Sequence, residues 1–221
     1  MSKASDYAFS NRSEVASFLP RQYQTVLEIG CSKGGFKASL NPTVEIWGVE
    51  PNESAAGQAS TRGYKVLTGL YEEVSDKCPD NYFDVIICND VIEHMADPDK
   101  FLEDIKRKMK KNGHLVGSIP NVRHFGNLFR LLIKKDWKYE DQGVLDRTHL
   151  RFFTEKSLCR TFSESGYVIN EIKGINSDFE KPKTTRQLLR NTLLLVIILM
   201  TFGYFRDIKN PQFAFRIELD E

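Results

Sequence analysis

Thr25-Val26-Leu27-Glu28-Ile29-Gly30-Cys31-Ser32-Lys33-Gly34-Gly35-Phe36 is the stretch on which the fold turns. An aliphatic, β-branched run enters a segment holding Gly30, Gly34 and Gly35, the pattern of a buried strand running into a tight turn, with a helix expected from about Phe36. Outward from it, the short runs at 44–49, 64–67, 83–88 and 114–119 are each rich in β-branched or aromatic residues and bounded by Gly, Pro, Asn or Asp. Helix-like stretches at 52–62 and 97–111 lie between them, the second with Phe101, Leu102, Ile105 and Met109 at helical spacing. Strands alternating with helices predict βαβ units and a parallel sheet, an α/β fold.

Beyond Pro120 a polar and aromatic stretch fills 121–153, and a helix at about 154–166 opens with Thr154 as N-cap. Runs at 167–172 and 213–217 can close the sheet as a strand pair. The 221 residues suit a single domain. Its expected parts are a helical lead-in over about 1–23, a ligand-binding core at 24–120, a cap insertion at 121–153 and a C-terminal part at 154–221 with an apolar helix at about 185–205.

Hydrophobic residues at 41% and charged residues at 28% exclude a disordered or fibrous chain. Lys+Arg 31 against Asp+Glu 30 leaves a net charge of +1, which calls for no nucleic-acid partner. Cys31, Cys78, Cys88 and Cys159 show no C-x-x-C spacing and read as reduced thiols. With no apolar h-region at the start, the chain is expected to be cytoplasmic.

Open α/β sheets bind ligands where a first strand meets a first helix, and glycine there lets backbone approach the ligand closely. A dinucleotide site would need Gly where Ser32 stands, and the P-loop pattern is absent. Glu50 follows Gly30 by the spacing of a ribose-binding acid at the end of a second strand. The ligand that fits is an adenosine without a pyrophosphate.

These residues resemble the first two motifs of class I S-adenosylmethionine-dependent methyltransferases. Phe83-Asp84-Val85-Ile86-Ile87-Cys88-Asn89-Asp90-Val91-Ile92-Glu93-His94-Met95 is similar to that family's fourth-strand motif, and Gly113-His114-Leu115-Val116 to its turn into the fifth strand. The resemblance implies a Rossmann-like, seven-stranded, mostly parallel sheet with one antiparallel strand, helices on both faces and a small cap. It also implies S-adenosylmethionine as cofactor, with S-adenosylhomocysteine as product. Glu28 and Gly30 would lie beside the methionine part and Glu50 would hold the ribose. Cys31, Ser32, Gly34, Phe36, Pro51, Asn89, Asp90 and Val91 complete the implied cofactor contacts. The Cys31-Ser32-Lys33 turn carries less glycine than the family's usual form.

Pro120-Asn121-Val122-Arg123-His124-Phe125 and the segment from Tyr139 to Thr154 resemble methyltransferases of bacterial O-antigen and other surface-glycan assembly. That resemblance implies a sugar hydroxyl or amine of a glycan or nucleotide-sugar precursor as acceptor. A non-sugar small molecule, such as a quinone or secondary metabolite, fits Glu93-His94 equally. A non-catalytic adapter that keeps the fold is the reading from another class.

Methyl transfer from a sulfonium is an in-line displacement that rewards positioning, and a hydroxyl acceptor also needs to lose a proton. His94, after the fourth strand, is a candidate general base or a capping histidine. His149 lies in a charged stretch beside Phe152 and Phe153, where Asp146, Arg147 and Arg151 either bind substrate or form a structural ion pair. Asn121, Arg123 and His124 either contact the acceptor or stand in a solvated loop. Asp90, Glu93, His94, Asp97 and Asp99 match no closed ligand spacing, and Asp97-Pro98 reads as a helix start, so no metal is expected.

The run Lys106-Arg107-Lys108-Met109-Lys110-Lys111 reads as a solvated helix end. The apolar run at 193–202 is short of the ~20 residues that span a bilayer. With Lys181, Lys183, Arg186 and Arg190 before it, three readings stay open: a membrane-interface helix at an inner membrane face, a buried helix or a homodimer contact.

Overall fold

In the computed structural model, which describes residues 12–177, 179 and 184–220, seven strands form one sheet. They are β1 (Thr25–Ile29), β2 (Glu45–Glu50), β3 (Lys65–Thr68), β4 (Phe83–Asn89), β5 (Met109–Pro120), β6 (Tyr167–Ile175) and β7 (Gln212–Leu219). Their order is β3-β2-β1-β4-β5-β7-β6, and β7 is antiparallel to both of its neighbours. The helices are α1 (Ser13–Ala16), α2 (Glu53–Thr61), α3 (Tyr71–Val74), α4 (Pro98–Lys108), α5 (Phe125–Phe129), α6 (Glu155–Glu164) and α7 (Thr185–Met200).

Because strand side chains alternate, each central strand feeds two cores. Leu27, Ile86, Leu115 and Phe215 pack with Phe101, Leu102 and Ile105 of α4 and Leu158 and Phe162 of α6. Val26, Val85, Val116 and Ala214 face the other way, onto Val15 of α1 and Ala59 of α2. Phe162 and Phe215 meet with ring centroids 4.8 Å apart, so truncating either to alanine should cost about 3–5 kcal/mol. Local signals start the helices: Asn52, Asp97 and Thr154 accept backbone N–H bonds at the N-termini of α2, α4 and α6.

Three expectations are corrected here. The helix from Phe36 is only a 3-10 turn, Gly35–Ser39; Pro42 follows closely, and the residue before a proline is pushed out of the helical region. Helix α4 stops at Lys108, and Met109 pairs with Phe83 as the start of β5. Nor is the basic run all solvated: Lys108 is buried and donates to the Cys78 carbonyl and to Asp80.

Helix α7 is mostly exposed, with Asn191 and Leu194 its buried residues, so the buried-helix reading fails. No helix among the described residues is long and apolar enough to cross a membrane. Lys181, Lys183 and the lead-in before Arg12 lie outside the described residues.

Candidate functional site

The carboxyl ends of the parallel strands carry two adjoining sets of groups. At the end of β1, Gly30 and Gly34 adopt positive φ of 71° and 72°, a conformation glycine takes without steric cost. A Cβ on Gly30 would stand 3.1 Å from Val91 Cγ2, which keeps this backbone close to the β4 end. Ser32, at φ 46°, is held in that region by its N–H donating 2.8 Å to Glu50 Oε2. Glu50 Oε1 accepts the Asn52 N–H at 2.9 Å. Each Glu50 oxygen thus keeps a lone pair for a further donor.

Glu28 is buried on the same strand face as Val26, and Tyr64 Oη donates to it at 2.6 Å. Burial pushes its carboxyl up to about 8, against the Tyr64 hydrogen bond and the Arg12 charge. Asn89 Oδ1, at the end of β4, is buried without a hydrogen-bond partner. Cys31 is buried beneath the turn, Phe36 lies in the core with Val15 and Phe18, and Pro51 is exposed.

The second set surrounds a cavity of about 610 Å³ lined by Asp90, His94, Gln142, Asp146, His149 and Gln212 together with Pro120, Gly143, Val144 and Pro211. Asp90, at φ 53°, accepts from Arg12 Nη1 (3.0 Å), Ser118 Oγ (2.9 Å) and Gln212 Nε2 (2.9 Å). Burial still pushes it up to about 6. Glu93 is 1% exposed, and neither of its carboxylate oxygens has a hydrogen-bond partner. Burial, with the Asp90 charge adding to it, drives the Glu93 carboxyl well above its ordinary value.

The cap reaches this point through its backbone. Leu150 N–H and Arg151 N–H both donate to the Glu93 carbonyl, at 2.8 and 3.0 Å. The His94 and His149 rings meet edge to face at 4.8 Å. Nδ1 of His94 lies 3.1 Å from the Thr148 carbonyl, and Nδ1 of His149 lies 3.0 Å from that of Val144. Carbonyls only accept, so each Nδ1 carries a proton, and in the neutral ring the lone pair is then on Nε2.

His94, Asp146 and His149 therefore come together with Asp90. Others do not join them. Asn121 is fully buried, donates to the Asp207 and Asn210 carbonyls and accepts from Arg123 N–H. Arg123 pairs with Asp207 and lies over the Phe205 ring. His124 caps α5 outside the cavity lining. The expected ion pair of Asp146 with Arg147 or Arg151 does not form either: Arg147 pairs with Asp141 and Arg151 donates to the Leu150 and Ala96 carbonyls. Arg12 and Gln212 gave no signal in sequence, since each reaches the site from a distant segment, and Gln142 is covered only as part of the cap.

A family model described as a methyltransferase domain matches residues 4–172. The chain belongs to that methyltransferase family. Its relatives include a ubiquinone biosynthesis O-methyltransferase of Aeromonas salmonicida, 25% identical over 68% of this chain and 66% of that protein. The match therefore spans slightly less than two thirds of that relative's length. A SAM-dependent methyltransferase from Archaeoglobus fulgidus superposes with a TM-score of 0.65 at 20% identity, over 96% of this chain and 93% of the other. The plantazolicin methyltransferase, solved with S-adenosylhomocysteine, gives 0.63 at 12% identity over 99% and 88%. The first set of groups suits S-adenosylmethionine, the cofactor that the sequence resemblance implies. Buried carboxylates Glu28 and Glu50 match a ligand with two cationic centres and a ribose diol, and the Asn89 carbonyl is a buried acceptor awaiting a donor.

Proposed function

We propose that the chain moves the methyl group of S-adenosylmethionine to a hydroxyl of a small acceptor held in the cavity, the acceptor being a sugar of a glycan or nucleotide-sugar precursor. The observation that carries the reading is the cavity lining: two imidazoles, two carboxylates and two primary amides converge on it, and among the described residues that line it there is no Phe, Tyr or Trp ring. Such a wall suits a polyhydroxylated ligand better than a flat ring. A phenolic hydroxyl of a quinone precursor is the second reading, favoured by the relatives named for ubiquinone biosynthesis.

S-adenosylmethionine, when bound, would supply an electrophilic methyl to the acceptor oxygen. Glu28, Gly30 and Glu50 would hold it, with Asn89 and Val91 as the far wall. The chain's own contribution is position. Asp90 and Gln212 are locked together and fix one wall, Gln142 and Asp146 descend from the cap, and the Nε2 atoms of His94 and His149 mark where the hydroxyl is activated. Exposed apolar residues Leu189, Leu193, Val196 and Met200 on α7, with Arg186 and Arg190 on the same helix, give a lipid-linked acceptor a surface to approach along.

Radiolabelled S-adenosylmethionine incubated with sugar nucleotides, lipid-linked glycans and polyprenyl catechols separates the two readings by which class takes up label. With the accepted substrate, His149→Ala should lower turnover by about a hundredfold while S-adenosylhomocysteine affinity stays unchanged. An unaffected rate would remove the imidazole pair from the reaction.

A further inference from the structure

Glu93 is the anomaly of this site. Its carboxylate is buried with no donor on either oxygen, whereas buried charges are ordinarily paired or bound to a metal. His149 Nε2 lies 3.8 Å from Glu93 Oε1, too far for a shared proton to bridge them well. One ligand atom from each of Glu93, His94 and His149 lies within 4.8 Å of the others.

Both rings are fixed as metal-binding imidazoles usually are, with the remote nitrogen donating to a backbone carbonyl. Glu93 is fixed through its main chain, whose carbonyl takes two N–H bonds from the cap. Two ligand atoms each ~2.1 Å from a tetrahedral ion stand ~3.4 Å apart, so the 3.8 Å pair closes by about 0.4 Å and the widest pair by up to about 1.4 Å. His94, His149, Asp90 and Asp146 line the cavity, which leaves further coordination positions open to whatever occupies it.

We propose that Glu93, His94 and His149 bind a single divalent first-row transition-metal ion whose open coordination positions face the cavity. Two imidazole nitrogens with one carboxylate favour zinc, cobalt, iron or manganese over the all-oxygen ligation of calcium. The expectation of no metal rests on the spacing of Asp90, Glu93, His94, Asp97 and Asp99, a set that omits His149, the cap residue that completes the cluster. The role that follows rests on the methyl-transfer reading above: an acceptor hydroxyl oxygen taken as a ligand is acidified and aimed, its proton leaving to water. In that arrangement the imidazoles are ligands and not proton acceptors.

The test is titration of the chelator-stripped full-length protein with Co2+, followed by its visible d–d absorption, with S-adenosylhomocysteine affinity measured on the same samples. Saturation at one equivalent is expected, with His94→Ala, His149→Ala and Glu93→Gln each weakening Co2+ at least tenfold. His114→Ala, at a histidine facing Glu218, should not change it. Absorption that never saturates, or saturates identically in the His94 and His149 variants, overturns the site when S-adenosylhomocysteine still binds. Loss of S-adenosylhomocysteine binding by the folded wild type counts instead against the cofactor reading, and the cobalt result still decides the metal.

Discussion

Replacing Glu50 by alanine should separate the cofactor site from everything else in the chain. The carboxylate is 8% exposed and holds two backbone N–H groups, Ser32 at 2.8 Å and Asn52 at 2.9 Å. The first of these props the left-handed Ser32 in the glycine turn, and the second fixes the entry to α2. Hydrogen bonds to a charged group contribute about 1.5–3 kcal/mol each. If the free lone pairs of Glu50 take a ribose diol, losing even one such bond weakens S-adenosylhomocysteine by about ten- to 150-fold. Glu50→Gln keeps one acceptor oxygen and should fall between alanine and wild type. Glu45, at the far end of β2, bonds Trp47, Lys65 and Tyr82 instead, so Glu45→Ala should leave the affinity unchanged. Calorimetric titration with S-adenosylhomocysteine reads all three. A natively folded Glu50→Ala protein that binds within twofold of wild type would refute the assignment of the ribose to this carboxylate.

Glu28 gives a pH test. With its carboxyl at about 8 in the free protein, a cationic cofactor must draw it into its ionised form, so affinity should climb by up to about tenfold per pH unit between about pH 6 and 7.5. A flat profile there would separate Glu28 from the cofactor's charges. Asp84 tests acid stability: burial would raise it, but Lys110 and the backbone N–H groups of Gln24 and Thr25 win and hold it at about 2. Its stabilisation is present above the ordinary 3.8 and is lost as pH falls toward 2, so Asp84→Asn should be less stable at pH 7 and show a shallower acid transition by circular dichroism. Gly117→Ala should abolish soluble expression, because its Cβ would stand 2.1 Å from the Cys88 carbonyl oxygen in the middle of the sheet. Asn121→Ala strips bonds from the Asp207 and Asn210 carbonyls and should cost about 2–4 kcal/mol, seen as a lower denaturation midpoint, with little change in acceptor KM.

Where sequence and structure agree, the deciding interactions are local. The β1 turn and its glycines and the caps Asn52, Asp97 and Thr154 each act within a few residues of themselves, and Glu50, bonded to Ser32 18 residues away, follows the turn at a fixed spacing, so spacing was enough to find them. The departures share the opposite property. Nothing between Lys106 and Lys111 stops a helix; the stop comes from Phe83, far back in the chain, which takes Met109 into the sheet. Asn121 has the residue type of a substrate ligand, but its bonds are spent on Asp207 and Asn210, 86 and 89 residues away. Asp90 is gripped by Arg12 and Gln212 from 78 and 122 residues away. The same distance hid the Glu93 cluster, since neither Glu93 nor His149 is unusual alone and the unsatisfied carboxylate exists only once the cap closes over it. On the proposed reading, local chemistry specifies the half of the site that would grip the cofactor. The half that would hold the acceptor is assembled from the cap, the β7 edge and Arg12, so a cap that changes in sequence would change the acceptor while the glycine turn and Glu50 stay as they are.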